Sequence, residues 1–380
     1  MNPYIQGYEL SAYLDGWIVM VATPSWWKPF IGLGVALAAA APATSAMAVG
    51  PQASLGWRIV YRHVTTNSFS SYRAVTASDR SHAWAVGGTG VAGYGSPIAA
   101  HWHHGRWSAT AIPSRAVGSI VAVSADGPRD AWAVTVGNVL HWHTGRWTIA
   151  KSFSLQGGPP GFQPTGITAL SPTDVWVFGG TGYWAGKGTW HLHGHTWTKV
   201  AGAGHNIFEA SALSPRSMWA IAGRNGDSIL RYANGRWRLV TSPALAGLQF
   251  DGIFAGSATS VWVTASEADG STGARLLHLN GTHWSAYHIP WQVQLRWLYS
   301  ATAGGGISPD GRGGFWIPTQ STRSPFWMLH FRAGKWSRVG LTSRVYRVAL
   351  IPGTTSLWGS GEILRKSSAT GTIWAHGRLG

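Results

Sequence analysis

Gly166 to Val200 reads GITALSPTDVWVFGGTGYWAGKGTWHLHGHTWTKV. Four short strands are predicted in it: ITAL, VWVFGG, TWHLH and TWTKV. The last three mix β-branched and aromatic residues, ITAL opens on the β-branched Ile167 and Thr168, and turn residues separate them. The turn SPTD joins the first two, with Pro172 fixing φ and Asp174 placed to accept backbone N–H groups. Gly194 marks the tight turn between the third and fourth strands. Trp176 and Trp197 hold fixed places in the unit.

The unit recurs along the chain. Second-strand tryptophans stand at Trp84, Trp132, Trp176, Trp219, Trp262, Trp316 and Trp358. Their local texts (AWAVGG, AWAVTV, VWVFGG, MWAIAG, VWVTAS, FWIPTQ, LWGSGE) alternate with period 2, as packed strands do. Fourth-strand tryptophans follow at Trp107, Trp147, Trp197, Trp237, Trp284 and Trp336, each shortly after a glycine. Seven units thus carry only six outer strands. The seventh ends the chain as IWAHGRLG, with no tryptophan after Gly377. Near the other end, Leu55 to Tyr61 reads LGWRIVY and matches the missing strand through Gly56 and Trp57. The expected fold is all-β: a seven-bladed β-propeller of four-stranded antiparallel blades. The N-terminal strand pairs in the last blade and closes the ring, which removes an exposed sheet edge.

On these motifs the chain resembles secreted propellers of actinobacterial type, whose blades read (D/S)-x-W-A-V-G … H-W-x-x-G-x-W. It is more distantly similar to kelch and galactose-oxidase propellers, with paired glycines at Gly87–Gly88 and Gly179–Gly180. The resemblance covers Leu55 to Gly380. It implies a rigid scaffold and a binding platform, with no fixed chemistry.

Residues 1–48 read differently. Lys28 precedes the apolar run PFIGLGVALAAAAPATSAMA, which ends in the small-x-small pattern Ala46, Met47, Ala48. This is the pattern of an export signal, of ordinary length if translation starts at Met20. The alternative is an uncleaved membrane anchor, against which Pro24 and Pro29 weigh as helix breakers. The expected organisation is therefore a leader over 1–48 and the propeller over 49–380, outside the cytoplasm. The formal charge is +16, and +17 without the leader, which holds Lys28, Glu9 and Asp15. An exported chain this basic favours anionic surfaces: wall polymers, lipid headgroups, acidic glycans or DNA. Its arginines are scattered, so no dedicated nucleic-acid interface is expected. There is no cysteine, which excludes a disulfide framework, a thiol nucleophile and a thioether-type cofactor.

Histidines draw attention in HWHHG (His101, His103, His104), HWHTG (His141, His143) and HLHGH (His191, His193, His195). Two imidazoles on one strand face could bind zinc. Yet the position six before each outer-strand tryptophan is His101, His141, His191, Arg231, His278 and His330. A column spread around a ring cannot converge on one ion, so a repeated structural role is expected, with no metal and no cofactor. Both tryptophan columns are assigned to the packing between blades. Asp130 and Asp174, where other blades carry Ser217, Ser260 and Ser356, are assigned to turn chemistry.

Function is expected off the pattern. The connections between second and third strands, and between blades, emerge on one face around the axial mouth. They carry the irregular insertions, and irregular loops on a rigid scaffold are where binding usually sits. Their aromatics are Tyr94, Phe162, Tyr183, Trp184, Trp291 and Trp297. Their polar candidates are Arg224, Asp227, Glu267, Asp269, Arg296 and Arg323. The expected ligand site is Tyr183, Trp184, Arg224, Trp291, Arg296 and Trp297, since rings stack on sugars and guanidinium forks bind carboxylate or phosphate. The expected function is non-enzymatic recognition of a glycan or anionic cell-envelope polymer by a monomer. The alternative is a glycan-cleaving hydrolase at the axis, its carboxylates drawn from Asp227, Asp251, Glu267 and Asp269.

Overall fold

The computed structural model describes residues 56–63, 69–90, 95–153, 162–181, 189–200, 206–223, 225–267, 273–295, 306–321 and 325–379. The predicted leader lies outside them. The described residues form seven four-stranded antiparallel sheets and contain no α-helix, only a 3-10 turn at Pro243–Leu245. Blades 1 to 6 occupy residues 70–110, 120–152, 162–200, 207–239, 248–288 and 308–341. Each runs first to fourth strand in chain order, with the first strands neighbouring one another around the ring.

Blade 7 joins the two ends of the domain. Its first three strands are Arg344–Leu350, Leu357–Leu364 and Ala369–His376. Its outer strand is Arg58–His63, antiparallel to Ala369–His376, with Arg58 opposite Ala375 and His63 opposite Gly371. Trp57, just before that strand, packs edge-on against Trp316 with ring centroids 5.6 Å apart. It fills the place that the outer-strand tryptophan fills in each other blade. The predicted closure is therefore the observed one.

The core is divided among seven clusters, each shared by two consecutive blades. Each joint pairs a second-strand tryptophan with the outer-strand tryptophan of the next blade, as in Trp84 with Trp147 and Trp176 with Trp237. Trp84, Trp176 and Trp358 are fully buried. Truncating such a ring to alanine typically costs about 3–5 kcal/mol. Hydrogen bonds add to three joints, where the amides of Ala169, Ala255 and Leu350 donate to Ser124, Ser211 and Ser308 of the preceding blade at 2.9–3.0 Å.

The short turns lie on one face. Third and fourth strands are joined by two-residue turns, and His104, Thr144, Asn234 and Ala333 take positive φ at their first position. Glycine follows each of them with φ from 73° to 81°. Positive φ at both positions is the twist that two-residue hairpins require, and glycine adopts it without steric cost.

One feature of the first strands is absent from the period-2 reading. In six blades the register slips near the strand start, leaving Arg73, Val121, Thr165, Phe208, Asp251 and Tyr346 as extra residues. These bulges re-aim the side chains around them. A Cβ on Gly87 or Gly361 would overlap the carbonyl of Ser71 or Arg344 at the slip, so glycine is required opposite it.

Candidate functional site

The bulges carry charge to the axis. Glu209 on the first strand of blade 4 and Arg347 on that of blade 7 occupy the same place after the slip. Other blades carry Ala74, Ala122, Gly166 and Gly252 there. Glu209 Oε2 and Arg347 Nη2 meet at 3.0 Å. Blades 4 and 7 are not neighbours, so this ion pair spans the central channel.

Beside it the blade 7 strand builds a buried polar cluster. Tyr346 donates its hydroxyl to Glu362 Oε1 at 2.5 Å, and Arg344 Nη1 donates to the same oxygen at 3.1 Å. Arg344 Nη2 donates to the Ser321 carbonyl of blade 6 at 3.2 Å. The Arg73 guanidinium of blade 1 lies 5.7 Å from the Tyr346 ring centre, and that of Arg344 also 5.7 Å. Burial, then the Glu362 charge, pushes the Tyr346 phenol well above its ordinary range, so it stays a donor. Arg73 Nε is buried without a hydrogen-bond partner.

The carboxylates predicted as a catalytic supply are engaged. Asp251, 2% exposed, accepts from Ser266 at 2.9 Å. Glu267 is ion-paired with Arg275, and exposed Asp227 accepts from Ser228 at 3.1 Å. Asp269 lies outside the described residues.

Of the predicted ligand residues, Tyr183, Trp184, Arg224, Arg296 and Trp297 lie outside the described residues, as do Tyr94, Arg323 and the side chain of Phe162. Trp291 is described. It is half-buried on the connection between blades 5 and 6, packed against their shared core. The Arg338 guanidinium stands 4.7 Å from its ring centre and 4.2 Å from that of Trp327. Trp291 thus already holds a cation against its ring, rather than standing free as an exposed loop aromatic.

The histidine column has the repeated role expected of it. His141, His191, His278 and His330 stack on Trp132, Trp176, Trp262 and Trp316 with centroids 3.8–4.2 Å apart. The second ring contact is polar: His141 bonds Asp130 at 2.8 Å, His191 bonds Asp174 at 3.0 Å, His278 bonds Ser260 at 3.1 Å and His330 bonds Asp310 at 2.9 Å. This corrects the turn role predicted for Asp130 and Asp174. Their side chains hold the imidazole, while Ser171, Ser214 and Ser257 accept the turn amides. The reason is register: the aspartate begins the second strand two residues before the tryptophan that lies opposite the column histidine, so its side chain shares that histidine's face. In blade 2 a further carboxyl, Asp126, lies against Asp130. Burial first, then the Asp130 charge and the hydrogen bond between them, raise Asp126 to about 7. Burial opposes ionisation of Asp130, but the His141 bond and charge outweigh it and hold that carboxyl below its usual range.

In blade 1 the column member has no acid. His101 stacks on Trp84 at 4.8 Å, and burial, then the charges of His103 and His82, lower it to about 4. A histidine that resists charging contributes its full stability above the unfolded value near 6.5 and loses it as pH falls toward 4. The expected loss over that window is on the order of 3 kcal/mol. Urea unfolding of the parent and of His101→Gln across pH 6.5 to 4 checks it. The parent should fall more steeply, and coincident pH dependences would refute the assignment.

No protein-family model and no curated protein matches the chain. Solved structures do. YCF48 bound to D1 peptide superposes with TM-score 0.58 and 13% identity, over 85% of this chain and 97% of that one. YCF48 from Cyanidioschyzon merolae gives TM-score 0.53 and 16% identity, over 85% and 98%. The extracellular domain of a putative one component system from B. thetaiotaomicron gives TM-score 0.53 and 11% identity, over 84% of this chain and 42% of that one. At such identities the likeness shows the fold: the chain is a seven-bladed β-propeller.

Proposed function

We propose that this propeller is an exported, non-catalytic binding module that captures an anionic glycan or cell-envelope polymer on its irregular-loop face. The observation that carries this is the channel itself. A hydrolase would need an acid and a second carboxylate positioned across the scissile bond. Instead, a guanidinium meets a carboxylate across the axis, with Arg73 and the Arg344 cluster beside it. The excess of cationic over anionic groups gives long-range attraction that salt screens over about 8 Å at physiological ionic strength. Binding propellers are also represented among the fold neighbours, one of them solved with a bound peptide. An acidic peptide is therefore the second reading. No helix among the described residues is long and apolar enough to cross a membrane.

The contact residues proposed are Tyr183, Trp184, Arg224, Arg296 and Trp297. Trp184 and Trp297 belong to neither repeat column, so changing both to alanine should leave the fold intact. Pull-down on isolated cell envelopes at fixed salt should show at least tenfold weaker binding by the double variant. Binding equal to the parent would remove these residues from the site. Competition by an acidic peptide, but not by envelope polymer, would favour the second reading.

A further inference from the structure

Blades 2 and 3 carry an arrangement that blades 5 and 6 lack. Asp130 begins the second strand of blade 2, and His141 and His143 lie on the third strand, two apart on one face. Asp174, His191 and His193 repeat this in blade 3. One ligand atom from each member of a triad lies within 4.8 Å of the other two. In blade 2, Asp130 Oδ2 is 2.8 Å from His141 Nε2 and 3.5 Å from His143 Nδ1. In blade 3, Asp174 Oδ1 is 3.0 Å from His191 Nε2. Two ligands on a tetrahedral zinc-sized ion, each about 2.0 Å from it, stand about 3.3 Å apart. The blade 2 distances fall on either side of that separation.

The column histidine and its acid need no metal to explain them. Ser260 with His278 and Asp310 with His330 make the same tether in blades 5 and 6. What differs is the second position along the third strand. Blade 5 has Asn280 there and blade 6 has Arg332, whereas blades 2 and 3 place an exposed imidazole beside the carboxylate. His143 has a side chain 61% exposed over an aspartate whose side chain is 9% exposed. That imidazole lies beside the column ring, with centroids 5.5 Å apart in blade 2 and 5.8 Å in blade 3, next to a carboxylate oxygen that can share a cation with it.

We infer that Asp130, His141 and His143, and separately Asp174, His191 and His193, are two sites for a zinc-class divalent ion. Two imidazoles and a carboxylate are a donor set that zinc accepts, with the fourth position left to water or to an external ligand. The stack of His141 on Trp132, and of His191 on Trp176, sets the first ring in place. The second ring can close onto the ion from solvent. Both sites sit where second strands begin and third strands end. That is the short-turn face, opposite the loops proposed to bind polymer. The histidine column was expected not to converge on one ion because its members lie in different blades. Each of these triads is built within a single blade.

The test uses the full chain stripped with chelator and titrated with Co²⁺, whose visible absorption reports tetrahedral coordination, and then with Zn²⁺ as competitor. The parent should bind two equivalents that Zn²⁺ displaces. His143→Ala and His193→Ala should each lose one equivalent, and the double variant both. Their melting temperatures in chelator should match the parent, because both side chains are exposed. A variant that keeps the parent's stoichiometry overturns the site in its blade. A parent with no tetrahedral Co²⁺ absorption overturns both.

Discussion

A chain starting at residue 64 should melt about 10 °C below one starting at residue 53, and should aggregate on standing. The deletion removes the strand Arg58–His63 with its pairing to Ala369–His376. It also removes Trp57, which fills the joint between blades 6 and 7 with Trp316 and Trp374. Trp57 is half-buried, so its loss costs less than the about 3–5 kcal/mol of a fully buried aromatic. Adding the lost strand brings the cost above about 5 kcal/mol, or about 2 °C per kcal/mol in a domain of this size. The third strand of blade 7 becomes an open edge, a template for pairing with another chain. A thermal melt of both chains decides it, and a synthetic peptide spanning residues 53–63 should restore part of the loss in trans. Equal melting temperatures would mean that the ring is not closed by this strand.

Glu362→Ala should be as damaging as any single change near the axis, costing about 3–5 kcal/mol. Its Oε1 receives both the Arg344 guanidinium and the Tyr346 hydroxyl. Arg344 is 2% exposed. Removing the carboxylate leaves a buried positive charge and a buried hydroxyl without their acceptor, and the desolvation cost of each remains. The double variant Arg344→Met with Glu362→Leu should recover more than half of the loss, because it removes the charge along with its partner. Urea unfolding measures both. A loss below about 1 kcal/mol for Glu362→Ala would show that the charge is not desolvated as the burial indicates.

The architecture was legible because its signal is repeated. Seven second-strand tryptophans counted the blades, and the unmatched LGWRIVY against the bare IWAHGRLG end located the closure. Repetition also identified the histidine column as structural. It misassigned Asp130 and Asp174, because a residue two before a tryptophan looks like a turn residue until the strand pairing shows what stands opposite. The candidate site was less legible. Trp291 reads as a loop aromatic, yet it packs on the core with Arg338 against its ring. The charge at the axis had left a trace in the sequence, since Glu209 and Arg347 break a column of alanine and glycine. That break shows when the first strands are set in register with one another.

The sequence by itself determined the fold, the blade count and the ring closure. These rest on burying apolar faces at period 2 and on turn residues at fixed offsets, both local properties that recur down the chain. Tertiary structure decided which polar groups meet. The Glu209–Arg347 pair joins residues 138 apart in sequence, and the Asp–His–His triads depend on cross-strand register. Bulges that shift a strand by one residue and a ring that brings distant blades to one channel create those encounters. Neither leaves a period in the sequence, because a bulge is one residue long and closure acts only once the whole ring has formed.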